Sequence, residues 1–187
     1  MRLEPSAKDA PLLLTGVLVR KGDYAEADRL LETQVRNSPI EADLRLGYTR
    51  LLIEANEKGR ARKQLGRILK READNSDASY LLGLLDLDEG KLDEAETRFK
   101  ALASGKERGV DAHYYLGRIA EQRGQFPAAL EQYSRVTSGQ QVLDASMRRA
   151  AMLARTGRLP DARLHARTIE QGFAQGHRQA AGAARAG

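Results

Sequence analysis

The sequence predicts an all-α chain, a right-handed α-solenoid of about five helix–turn–helix repeats, and three interlocked registers predict it. Ala27, Ala61, Ala95, Ala129 and Ala162 recur at intervals of 34, 34, 34 and 33 residues. Five places before each alanine stands a residue that takes positive φ cheaply: Gly22, Asn56, Gly90, Gly124 and Gly157. Twelve places before each stands a small one: Thr15, Thr49, Gly83, Gly117 and Ala150. Each register has a physical task. The small residue admits a second helix at close range, the Gly or Asn ends the first helix in a left-handed cap, and the alanine marks where the two helices cross. An aspartate eighteen places before each alanine (Asp9, Asp43, Asp77, Asp111, Asp144) is expected to open the first helix, accepting from its free N–H groups.

The elements follow in order. In the first repeat, residues 8–41, a helix near 9–21 takes the apolar run Pro11 to Val19 and stops at Gly22. That run is far short of the roughly 20 residues a membrane-spanning helix needs. With Thr15 in register it reads as a helix of the array and not as a leader segment. Its mate, near 24–37, carries Ala27, Leu31 and Gln34. The second repeat, residues 42–75, pairs helices near 42–55 and 58–72, with Ala61, Leu65 and Ile68 on the inner stripe. The third, residues 76–109, pairs 76–89 with 92–104 and offers Ala95, Phe99 and Leu102. The fourth, residues 110–142, pairs 110–123 with 126–137 and offers Ala129, Tyr133 and Val136. The fifth, residues 143–171, pairs 141–156 with 159–171 and offers Ala162, Ala166 and Ile169. Spacing of i, i+4 and i+7 is one stripe of an amphipathic helix. Pro127 and Pro160 stand near the start of second helices, where a missing N–H is harmless. No alternating stretch bounded by hairpin turns predicts a strand. Residues 172–187, GFAQGHRQAAGAARAG, break the register and read as a disordered tail or a frayed capping helix.

Composition agrees with stacked hairpins. Aromatic residues make up 5% of the 187, Trp is absent, and 30% are charged, too little bulk for one central core. A solenoid needs less, because each repeat buries its stripe only against its neighbours. There is no cysteine, which excludes disulfides, thiolate metal sites and cysteine nucleophiles. The net charge of +5 has much of its surplus late, in Arg148, Arg149, Arg155, Arg158, Arg163, Arg167, Arg178 and Arg185. It reads first as a solvated helical surface, with an acidic partner or nucleic acid as the alternative.

No chemistry-bearing constellation emerges. His113, His165 and His177 stand in no metal-ligating spacing, and His113, beside Tyr114 and Tyr115, reads as a packing residue. HExxH, GxSxG and GxxxxGK[ST] are all absent. The acid pairs Asp86/Asp88 and Glu94/Glu96 are two apart and point to different helix faces. The expectation is a non-enzymatic protein with no catalytic residue, no metal, no cofactor and no small-molecule substrate.

The small residue, the helix-ending Gly, the Ala and the following Leu or aromatic resemble the tetratricopeptide repeat pattern over residues from about 8 to 171. The aromatic often found early in the first helix is absent, with Ser79 and His113 in its place, and the closing proline occurs only as Pro39. The resemblance implies that first helices line an inner, concave wall that binds a protein or peptide partner. Places five, nine and twelve of each unit then give Leu12, Gly16 and Val19; Leu46, Arg50 and Ile53; Tyr80, Leu84 and Leu87; Tyr114, Arg118 and Glu121; Met147, Ala151 and Ala154. Tyr and Arg are favoured at interface hot spots. For Leu46, Leu84 and Leu87 a core position stands as the alternative, since one step of register rotates a side chain by about 100°. Asp86 and Glu121 make the wall partly polar. The chaperone-tail clamp of Lys and Asn known in the family is not assembled by Leu46 with Arg50, Tyr80 with Leu84, or Tyr114 with Arg118.

Residues 111–163 and 42–69 resemble, more narrowly, proteobacterial outer-membrane lipoproteins built of these repeats. A member of that group is an adaptor for a periplasmic carboxyl-terminal processing protease. The resemblance implies a protease partner and a periplasmic or outer-membrane-associated location, although the lipid-attachment cysteine is missing; without the resemblance a cytoplasmic location stands. Nucleic acid is disfavoured, because the inner places are mostly apolar where RNA-reading repeats carry paired polar residues. End-to-end self-association is a third reading. Leu12, Leu13 and Leu14 lack a polar cap and would prefer a preceding helix, as at the cut end of a longer array.

Overall fold

Five turns set the architecture of the described residues. Gly22, Gly90, Gly124 and Gly157 have φ of 81°, 73°, 71° and 79°, and Asn56 matches them at 61°. After each, the next backbone N–H reaches back five residues: Asp23 to Leu18, Glu57 to Leu52, Lys91 to Asp86, Gln125 to Ala120 and Arg158 to Leu153, all at 2.8 or 2.9 Å. This is the backbone closure of a helix whose last carbonyls are satisfied by a left-handed residue. Asn is the one common alternative to Gly there, because its short polar side chain tolerates that region.

The computed structural model describes residues 9–36 and 41–169. The helices are α1 (Asp9–Lys21), α2 (Tyr24–Val35), α3 (Glu41–Glu54), α4 (Lys58–Arg71), α5 (Ser76–Asp88), α6 (Leu92–Ala103), α7 (Gly109–Gln122), α8 (Phe126–Ser134) and α9 (Val142–Arg155). A tenth, α10, covers 159–169, and no strand occurs among the described residues. The expected helices are all present, each end within three residues of its expected place. Pro39 and the tail at 172–187 lie outside the described residues.

The chain divides into two compact units, Met1–Arg98 and Phe99–Gly187, the division falling inside α6. In the first, Ala27, Ala61 and Ala95 are sealed at the helix crossings, and Leu31, Leu65, Tyr48 and Leu52 fill the space between hairpins. Gln34 is exposed, and Val35 takes the inner place instead. Leu12 packs on this core, its Cδ1 filling the space beside Gly47, where a Cβ would stand 2.8 Å away and oblige the leucine to shift. Leu13 and Leu14 face solvent. In the second unit, Ala129, Tyr133, Ala145 and Met152 form the core, and Phe99 stacks on Tyr115 with ring centroids 5.1 Å apart.

The aspartate register does not cap the helices as expected. The cap of α5 is Asn75, whose Oδ1 accepts from the Ala78 N–H at 2.9 Å. Arg108 and Gln141 precede α7 and α9 without a side-chain cap bond. Asp77, Asp111 and Asp144 lie inside the first turn, where the helix dipole still favours a negative charge. From there the carboxylate is free to turn to a neighbour: Asp111 pairs with Arg108 at 2.9 Å and Asp144 with Arg148 at 2.6 Å.

The sharpest steric constraint is in the fourth hairpin. A Cβ at Gly117 would stand 2.6 Å from Cε1 of Tyr133. Tyr133 is buried and donates its hydroxyl to Glu121 at 2.7 Å, so the ring has nowhere to swing. Gly117→Ala is therefore expected to lower unfolding free energy by about 1–3 kcal/mol in urea denaturation. Placing it on Tyr133→Leu should recover much of that loss.

Candidate functional site

First helices present the sequence-predicted residues, and the two units are taken separately. In the first unit, Arg50 on α3 is exposed, its Nη2 4.0 Å from Asp77 Oδ2. Ile53, Tyr80, Leu84 and Leu87 are half-buried, with Ile53 also packed on the core. Leu46, only 5% exposed, is a core residue with almost no surface to offer. Asp86 is not a polar spot on an open wall either. It is buried, held by Arg62 at 2.7 Å and Arg98 at 2.8 Å. A buried carboxylate left without those cations would cost several kcal/mol.

Beneath this face lies a network invisible in the registers. Arg45 of α3 is buried, its Nε donating to Glu41 at 2.9 Å, Nη1 to Glu32 at 2.9 Å and to Gln64 at 2.7 Å, and Nη2 to Glu32 at 3.1 Å. One guanidinium thus fastens α2, α3 and α4. The Arg45 hydrogen bond, outweighing burial, holds the Glu32 carboxyl below its ordinary value. Tyr48 donates to Asp28 at 3.0 Å; burial, and then that carboxylate, push its phenol well above the usual range.

In the second unit the predicted residues converge on one hydrogen-bonded chain. Tyr114, 7% exposed, donates its hydroxyl to Asp144 at 2.5 Å. Arg148 bridges, with Nε to Asp144 at 2.6 Å and Nη1 to Glu121 at 3.0 Å, and Glu121 accepts from Tyr133. Burial pushes the Asp144 carboxyl up, but the bonds from Tyr114 and Arg148 prevail and hold it below its ordinary value. Burial and Asp144 raise the Tyr114 phenol, burial and Glu121 raise that of Tyr133, and the bond to Asp144 makes Arg148 more basic still. All four groups therefore keep fixed protonation states near neutrality. Arg118 on α7 is exposed, and so on α9 are Met147, to 57%, and Ala151 and Ala154. Tyr114 and Glu121 are thus tied into the chain, whereas Arg118 and Met147 are open to solvent. Sequence reasoning missed Arg148 as the bridge, because it stands outside the counted inner places.

Among the described residues no group of His, Asp or Glu is arranged to hold a metal ion, and no helix is long and apolar enough to cross a membrane. His113 contacts Gln132 Oε1 at 2.9 Å through Nδ1, consistent with a packing role.

Paired helices, left-handed turns and a partly apolar, partly charged first-helix face define the helical-repeat class of protein-interaction modules. Tetratricopeptide repeat models match residues 18–85, 80–141 and 123–177, and the chain belongs to the tetratricopeptide repeat family. Its fold class is accordingly the all-α tetratricopeptide superhelix, and members of that family mediate protein–protein interaction. Among solved structures, MamA residues 41 to the end from Desulfovibrio magneticus RS-1 superpose with a TM-score of 0.65 at 17% identity, covering 90% of this chain and 96% of that one. MamA of AMB-1 gives 0.61 at 18%, covering 88% and 90%. A Podosopora anserina putative kinesin light chain of nearly identical repeats gives 0.63 at 18%, covering 95% and 100%. Identities this low speak for the fold alone. No curated protein matches the chain.

The depressed carboxyls fix the direction of the pH dependence. Glu32 and Asp144 lie below their ordinary values, and the Arg62 and Lys91 hydrogen bonds bring Glu89 to about 2. A carboxyl depressed by folding adds stability that is complete above its unfolded value, about 4, and disappears as pH falls through the folded one. The melting temperature should stay level from neutrality to about pH 5 and decline below about pH 4. Arg148→Gln, which leaves the 46%-exposed Asp144 without its cation, should cost about 1 kcal/mol or less at neutral pH and flatten part of that decline in a melting series.

Proposed function

We propose that the protein is a non-enzymatic scaffold whose first-helix faces hold a segment of a protein partner. What supports this is the exposure of Arg118 on α7 and Met147 on α9, two helices tied by the Tyr114–Asp144–Arg148–Glu121 chain. An exposed thioether and an exposed guanidinium on hydrogen-bonded helices supply adaptable contact where little ordering entropy must be spent on the support. In the first unit Arg50, Ile53, Tyr80, Leu84 and Leu87 supply a comparable strip of half-buried apolar surface with one exposed cation, while Leu46 contributes from beneath.

The narrower form of this reading is an envelope adaptor for a carboxyl-terminal processing protease. What supports it is the resemblance of residues 42–69 and 111–163 to the lipoprotein adaptors. Capture of such a protease from envelope extract by the immobilised protein is its direct test; a captured set without any processing protease removes the narrower form and leaves the scaffold.

Arg118→Ala with Met147→Ala removes exposed atoms only, so helical content and melting should be unchanged. Partner capture should weaken about tenfold or more, the size expected when two hot-spot residues are lost. Undiminished capture by that folded double variant would reject the second-unit face.

A further inference from the structure

Helix α4 carries seven Lys and Arg residues and no acid. Five of them meet carboxylates: Lys58 pairs with Asp88, Arg60 with Asp28, Arg62 with Asp86, Arg67 with Glu32 and Arg71 with Glu41. Lys63 and Lys70 remain, both exposed and with no ion pair or hydrogen bond among the described residues. Lys63 has Arg60 three places before it and Arg67 four places after, and like charges at those spacings weaken a helix. No ion pair of its own offsets that repulsion.

Lys63 lines an open groove of about 510 Å³ between α2 and α4. Five cations line it against two acids, and both acids are already engaged. Asp28 accepts from Tyr48 at 3.0 Å and from Arg60 at 2.6 Å; Glu32 accepts from Arg45 at 2.9 Å and pairs with Arg67. On the α2 side Arg36 is exposed and acts on Glu32 only through its charge, less strongly than Arg45 or Arg67. Arg29 is held by Glu26 at 3.2 Å, but the two side chains are 77% and 59% exposed, a tie of little strength. The groove therefore keeps a positive surplus that none of its own acids answers, and such a field gathers anions.

We propose that this groove docks an acidic segment of a protein partner, its carboxylates meeting Arg29 and Arg36 on α2 and Lys63 on α4. Separated acids fit better than a continuous polyanion. Arg29 and Arg36 stand two helical turns apart, about 10 Å, a span that three residues of extended chain cover. Asp28 and Glu32 interrupt the cations along the way. Nucleic acid is the poorer occupant, because no aromatic side chain lines the groove for a base to stack on. No residue of either first-helix face lines it, so docking here and docking there can fail independently.

The test is a titration of the full chain followed by NMR. The probes are acetyl-Glu-Ala-Ala-Glu-Ala-Ala-Glu-amide, its Gln counterpart and a uridine decanucleotide. The Glu peptide should shift backbone amides of α2 and α4 in preference to those of other helices. Its Gln counterpart should bind about fivefold more weakly or worse, and so should the Glu peptide to Arg36→Gln with Lys63→Gln. Arg163→Gln with Arg167→Gln removes as much charge from exposed places on α10 and should change affinity by less than about twofold. Lys63→Gln alone relieves like-charge repulsion, so it should melt no lower than the unaltered protein while binding the Glu peptide more weakly. A folding defect would move both in the same direction. Equal losses in the two double variants, shifts confined to other helices, no shift at millimolar peptide, or tighter binding of the decanucleotide on the same amides would each overturn the proposal.

Discussion

A single backbone arrangement, one left-handed residue followed by an N–H that reaches back five positions, governs the rest of the structure. It recurs at Gly22, Asn56, Gly90, Gly124 and Gly157. Because it fixes the direction in which the second helix leaves, it also fixes which of its residues meet the first. The alanine five places on falls at the crossing, and the bulky residue four beyond falls in the space beside it. Where the turn brings the helices closest, the facing residue must shrink, as Gly117 does beneath Tyr133. Apolar stripes then follow from the turn and need no separate explanation.

Ionic contacts decide how the hairpins are held once they form. In the first unit Arg45 ties three helices from a buried site, and Asp86 draws Arg62 and Arg98 together. In the second unit the corresponding role falls to Arg148, between Asp144 and Glu121. A chain with few aromatics thus compensates for modest apolar bulk with charges whose geometry is over-determined. Surface arginines are consumed the same way: Arg155 lies over the Phe126 ring at 4.5 Å and Arg158 is held by Asp161. The late basic surplus is therefore less available to a polyanion than a charge count implies.

Helix positions and turns were legible in the sequence because both depend on local backbone preference repeated at a fixed period. Positive φ at Asn56 could be read from its register alone, without knowing any contact. The candidate face was legible only in part. Of the residues picked by counting places, Arg118 and Met147 are exposed, whereas Leu46 and Tyr114 are buried and not on an open wall, and Glu121 is held by Tyr133 and Arg148. The reason is rotational: a helix face is about 100° per residue, so whether a side chain lies on the wall or under it turns on small shifts that register cannot resolve. The aspartate register was misread for a related reason. Its carboxylates stand two or three residues inside the helix start, and which cation each one meets is set by residues elsewhere in the chain, Arg148 for Asp144 and Arg108 for Asp111.

The burial of Arg45 has a corollary for behaviour in brine. Charges enclosed by protein are little affected by mobile ions, whereas exposed pairs such as Arg29 with Glu26 fade as the screening distance shortens from about 10 Å at 0.1 M salt to about 3 Å at 1 M. Concentrated electrolyte thus strips the exterior of its electrostatic pull while the ties between rods persist. Adhesion to charged surroundings becomes adjustable by the medium, and the shape of each unit does not.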